Sequence, residues 1–113
     1  MAIPHAKSGE VIGVEPLGAN LAGVKTRTLF KAEDLEVIRL VVLAGKEIPP
    51  HRVSVEVTVQ CLEGRVDFRL GDLKRELSAG TLLYMEGGTE HSLVAQEDSS
   101  LLVTIALQHK AAT

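Results

Sequence analysis

Between residues 53 and 61 the chain alternates without a slip. Val53, Val55, Val57, Val59 and Cys61 fall on one side, and Ser54, Glu56, Thr58 and Gln60 on the other. A period of two marks an extended strand with one face buried. Similar runs rich in Val, Leu, Ile and Thr recur at residues 26–31, 35–43, 53–62, 65–70, 73–77, 81–85, 91–95 and 101–107. Turn residues separate them: Ala44-Gly45, Pro49-Pro50, Glu63-Gly64, Gly71-Asp72, Ala79-Gly80, Gly87-Gly88 and residues 97–100. No long helical period interrupts the series, so the pattern predicts an all-β antiparallel sandwich or barrel.

Two runs break the simple alternation. In residues 35–43, Val37, Val41 and Leu43 oppose Ile38, Leu40 and Val42; in residues 101–107, Leu101, Val103, Ile105 and Leu107 oppose Leu102. A lone barrel would leave one of those faces in water, and large exposed apolar patches are rare on monomers. The expectation is a cover, either by an N-terminal arm (residues 1–24) or by a second copy of the chain, with a homodimer preferred.

The 113 residues suit one domain, residues 1–113, with a core large enough to need no disulfide. Cys61 is the only cysteine, which rules out an internal disulfide or a CxxC site. At an inward strand position it reads as a small buried hydrophobe. A net charge of -3 without a Lys/Arg cluster predicts neither nucleic acid nor an anionic membrane surface as a partner. The N-terminal residues lack the apolar run of a signal peptide and no stretch approaches membrane-spanning length, so a cytoplasmic location is expected. Only Phe30, Phe68 and Tyr84 are aromatic, which leaves little for stacking on sugars or bases.

Residues 45–64 resemble the first signature of the cupin family, which runs Gly, five residues, His, one residue, His, three or four residues, Glu or Gln, six residues, Gly. Gly45, His51 and Gly64 fall on their marks, while Val53 stands at the second His and Val57 at the acid. Residues 80–95 resemble the second signature: Gly80, Gly88 and His91 match, Glu86 replaces a Pro and Ala95 an Asn. The resemblance implies a jelly-roll barrel, the antiparallel double-stranded β-helix of RmlC-like proteins, often dimeric at this size. It also implies a divalent transition metal held by three His and one carboxylate or amide.

Only His51 and His91 of that ligand set are present, and two imidazoles cannot supply the three or four protein ligands a catalytic metal demands. Glu56 is the nearest carboxylate in sequence, but strand parity points it away from the histidines unless a bulge re-aims it. Glu86 and Glu90 flank His91 without an assigned role. Tyr84 and Met85 occupy opposite faces of their strand, so one of the two is expected to line the cavity mouth. Gly87-Gly88 reads as a turn and not a phosphate cradle, having no strand-to-helix setting. His5 and His109, away from both signatures, are assigned no function.

The leading expectation is a small-molecule ligand held inside the barrel by His51 and His91 against Val53, Val57, Tyr84 and Met85, with an incomplete or absent metal site. A metal-dependent enzyme of dioxygenase or isomerase type, using His51, His91 and Glu56, is the alternative. A ligand-sensing or structural module is a third. No Ser-His-Asp order, Walker loop or dinucleotide fingerprint is visible, which sets nucleophilic and nucleotide-dependent chemistry aside.

Overall fold

The computed structural model describes residues 5–107. Nine strands form in order: β1 (Arg27–Lys31), β2 (Leu35–Val42), β3 (Glu47–Arg52), β4 (Val57–Glu63), β5 (Arg65–Leu70), β6 (Leu73–Ser78), β7 (Leu82–Met85), β8 (Glu90–Ala95) and β9 (Ser99–Ala106). All their pairings are antiparallel. They assemble into a five-stranded sheet, β1-β2-β9-β4-β7, and a four-stranded sheet, β3-β8-β5-β6. This is the jelly-roll architecture that the alternating pattern and the paired signatures implied.

Both sheets turn their apolar faces to one shared core. Val57, Val59, Cys61, Met85 and Leu101 come from the first sheet, and Val66, Phe68, Leu77, Leu93 and Ala95 from the second. Val66, Cys61 and Leu101 are completely shielded from solvent. Burial pushes the Cys61 thiol above its ordinary titration range, and the group donates weakly to the Glu63 and Gly64 carbonyls. Cys61 therefore behaves as a small core residue rather than a nucleophile.

The strand boundaries depart from the sequence expectation in three places. The run at residues 53–62 does not begin a strand until Val57; residues 53–56 form a connection. Conversely, Pro49-Pro50, expected as a turn, lies inside β3. A strand can hold two prolines only where their missing N–H groups are not needed, and β3 is the edge of its sheet. Residues 97–100 also close earlier than expected, because Ser99 and Ser100 already belong to β9 and are fully buried.

The β4–β5 turn depends on one glycine. Gly64 has φ +88, and a Cβ there would strike Ser99 Oγ and the Asp98 carbonyl, so both its conformation and its space exclude a side chain.

The doubly apolar run at residues 35–43 is explained in part by the N-terminal segment. Ile38 and Leu40 face the interior cavity, while Val37 and Arg39 alternate to the outer face and are nevertheless buried. The segment crosses that face beside a short 3-10 helix, Gly18–Gly23, whose Leu21 is buried. Its anchor is polar. Arg39 Nη2 donates to the Glu15 carbonyl (2.6 Å), to Glu63 Oε2 (3.3 Å) and to Ser100 Oγ (3.2 Å). The Glu63 carboxylate accepts from the backbone N–H groups of Leu17 and Gly18 and from the Ser100 hydroxyl (2.6 Å). Partial burial would raise the Glu63 carboxyl, but these donors and the Arg39 guanidinium outweigh it and hold the group below the usual carboxylate range.

Candidate functional site: an apolar cavity with two histidines

Inside the barrel lies a cavity of about 260 Å³, lined by hydrocarbon from both sheets. Ile38, Leu40, Val57, Val59, Met85, Val103 and Ile105 come from the first sheet, and Ile48, Phe68 and Leu93 from the second. Val53 contributes from the connection after β3. His51 and His91 are its two ionisable side chains.

His91 reaches the cavity by ordinary alternation, since His91, Leu93 and Ala95 of β8 are buried while Ser92 and Val94 are less so. His51 needs an irregularity. Ile48 pairs with Leu93 and His51 pairs with His91, so three steps along β3 match two along β8. Ile48 faces inward, and in a regular strand a residue three positions later would face outward. The extra residue at Pro49-Pro50 makes a bulge that returns His51 to the inner face.

The two imidazoles stand with ring centroids 4.2 Å apart at 59°. Phe68 stacks on His91 at 5.9 Å and 15°, which fixes the plane of that ring. His91 Nδ1 lies 2.9 Å from the Thr89 carbonyl and His51 Nδ1 lies 3.2 Å from the Pro49 carbonyl. A carbonyl oxygen only accepts, so in both rings Nδ1 carries the proton and donates. His91 is 9% exposed, whereas His51 stands at the mouth.

The mouth is held by the β7–β8 turn. Gly88 N–H donates to the Val53 carbonyl (2.7 Å), and Gly87 abuts the Ser54 carbonyl where a Cβ would collide. Arg52 adds a bond to the Gly88 carbonyl (3.3 Å) and an exposed ion pair with Glu90 (3.7 Å). The double glycine therefore does more than turn the chain: it lets the 53–56 connection close over one side of the cavity.

His51, Val53, Val57, Met85 and His91 thus meet at one cavity, and Tyr84 and Glu56 do not. Val57 pairs with inward Met85, so the adjacent Thr58–Tyr84 pair faces out. Tyr84 is 56% exposed and its hydroxyl donates to Glu56 Oε2 (2.6 Å) on that outer face. This bond, with the nearby carboxylate charge, raises the phenol above its usual range. No bulge re-aims Glu56. Phe68 was missed by motif reading, although the alternation of Val66, Phe68 and Leu70 with Asp67 and Arg69 placed it on the inner face. His109 lies outside the described residues, and His5 is exposed.

A metal of the family's usual kind does not fit this donor set. Val53 and Val57 put hydrocarbon at two ligand positions, and Glu56 is engaged with Tyr84. Among the described residues no group of three or more His, Cys, Asp or Glu could hold a metal ion.

Residues 38–106 match the cupin-domain family model, more than half of the sequence, and the chain belongs to the cupin family. No curated protein matches it in sequence. Among solved structures, it is similar to a conserved protein of unknown function from Streptococcus pyogenes, at 19% identity and TM-score 0.74, covering 97% of both chains. A cupin-superfamily protein from Desulfitobacterium hafniense also superposes with TM-score 0.74, at 12% identity over 91% of this chain and 100% of that one. An RmlC-like cupin from Desulfovibrio desulfuricans is 25% identical, with TM-score 0.67 over 90% of this chain and 97% of the other. Among the described residues no helix is long and apolar enough to cross a membrane.

Proposed function

We propose that this cupin is a binding protein for a small organic molecule, held in the barrel without a metal by hydrocarbon contact and by His51 and His91. One observation carries the reading: a cavity of about 260 Å³ whose mostly hydrocarbon wall, which includes the hydroxyl residues Thr26 and Ser92, holds two adjacent imidazoles as its ionisable groups. Small-molecule sites are typically apolar hollows with a few convergent polar groups, and volumes of about 300 Å³ and above suit drug-sized ligands. This cavity falls just below that range, which favours a compact ligand of one ring.

The test is two-armed. Methyl-labelled protein is titrated with one-ring probes such as toluene and phenol, and the apo protein is separately incubated with Zn, Mn, Fe, Ni and Cu ions and assayed for bound metal. Shifts confined to Val53, Val57, Met85 and Val103 methyls, with no stoichiometric metal, are expected. Tight one-to-one metal binding abolished by His51→Ala would overturn the metal-free reading.

A further inference from the structure

Both histidines direct the same chemistry at whatever fills the cavity. Each Nδ1–H is committed to a backbone carbonyl two residues earlier in its own strand segment. In a neutral imidazole the other nitrogen, Nε2, is then a lone-pair acceptor. Neither Nε2 has a hydrogen-bond partner among the described residues. The His91 ring is nine-tenths buried between Phe68 and His51 and lines the cavity, so its acceptor is left to water or a ligand that enters there. The cavity wall supplies no charged group, for Arg52 and Glu90 pair with each other in solvent outside it.

An acceptor pair in a hydrocarbon hollow sorts ligands by their polar group. A hydroxyl donates its one proton to one Nε2, and the second imidazole, at the exposed His51 side, is left to water. An ether of the same shape leaves the imidazole unpaired, at the cost of a lost buried hydrogen bond. A carboxylate brings lone pairs to lone pairs, and an ammonium loses its hydration without gaining a counter-charge. Building on the ligand-pocket reading above, we infer that the occupant is a neutral one-ring molecule that donates one hydroxyl proton to Nε2 of His91 or of its neighbour His51 from an otherwise hydrocarbon body.

Calorimetric titration of the whole chain, near pH 8 where free imidazole is neutral, tests this with matched probes: phenol against anisole, cyclohexanol against its methyl ether, and benzoate and benzylammonium as charged controls. The hydroxyl compounds should bind about tenfold tighter than their ethers, and the ions more weakly than either. In ¹⁵N spectra the Nε2 resonance of His91 or His51 should move on adding phenol and stay fixed with anisole. His91→Phe and His51→Leu should each shrink the phenol preference while keeping anisole binding. Because His91 is buried, His51→Leu carries the comparison if the first variant does not fold.

Equal affinities for alcohol and ether, or a preference that survives both variants, would overturn the hydroxyl assignment and leave the apolar pocket standing. If none of the probes perturbs the cavity methyls, the pocket reading fails and takes this one with it.

Discussion

Two polar clusters lean on the same hydrophobic core, and their bonding differs in kind. The Arg39–Glu63–Ser100 cluster is closed. Its carboxylate and Ser100 hydroxyl find partners within the protein, the N-terminal segment gives the Leu17 and Gly18 N–H groups to the carboxylate and the Glu15 carbonyl to Arg39, and Arg39 Nε is left over. The His51–His91 pair is open: each ring has one nitrogen tied to a backbone carbonyl and one without a protein partner among the described residues, and both rings line the cavity. Buried polar groups are normally satisfied. A cluster whose acceptors are filled from within is explained by the fold it stabilises, whereas side chains that leave acceptors facing a cavity are available to what enters it.

If that distinction holds, damage to the closed cluster appears in stability and damage to the open one in binding. The largest effect is expected from Glu63→Ala, which strands the Arg39 guanidinium, 4% exposed, without its counter-charge. Loss of about 3 kcal/mol in urea unfolding is expected, with freer hydrogen exchange at Leu17 and Gly18. An unchanged midpoint would dissolve the contrast.

Next comes Gly87→Ala. The added methyl collides with the Ser54 backbone, so the 53–56 connection must move, and a loss of about 1–2 kcal/mol with displaced Val53 resonances is expected. Unshifted Val53 methyls would show that the turn does not shape the mouth.

The pH dependence of the closed cluster has a definite sign. Glu63 titrates below its ordinary value in the folded chain, so its contribution is complete above the unfolded carboxylate range, near pH 4.3, and fades as pH falls through the lower folded value. The stability gap between the native chain and Glu63→Gln should therefore be flat from pH 7 to about pH 5 and narrow in more acid solution. A gap that widens on acidification would contradict the assignment.

His91→Leu sharpens the comparison from the other side. It removes the accepting nitrogen and the bond to the Thr89 carbonyl while adding hydrocarbon, so stability should change by about 1 kcal/mol while phenol affinity falls to that of anisole. The smallest effect belongs to the outer face. Tyr84 is the only tyrosine, so its alkaline absorbance titration is free of overlap. The midpoint should lie above that of free tyrosine and move back down in Glu56→Ala. A native titration like that of the free amino acid would mean Glu56 is not engaged there.

Most of the architecture was legible because period-two patterning and turn residues act locally. The strands at residues 65–70, 73–77 and 91–95 lie within a residue of β5, β6 and β8. The errors lie where tertiary context overrode the pattern. The alternation from Val53 reads as one strand, yet hydrogen bonding to the Gly88 turn and packing against Gly87 hold residues 53–56 out of the sheet. Pro49-Pro50 carries a turn signal that an edge strand can tolerate as a bulge.

At the site, motif spacing located His51 and His91, but not the ring stacking of Phe68 or which nitrogen each histidine leaves free. Those depend on cross-strand register. Parity assigned Glu56 to the outside, whereas Tyr84 was carried onto the cavity list by its proximity to the second signature. The Arg39 cluster had a visible sign, a lone charge within the apolar residues 37–43, but its partners at residues 15–18, 63 and 100 are distant in sequence.

The paired prolines of β3 have an effect beyond aiming a side chain. They stand on the free margin of the four-stranded sheet, where an incoming polypeptide would seek main-chain donors for a new ladder. Two consecutive positions there offer none. The irregularity that equips the interior thus also leaves this margin of the sheet a poor template for an added strand.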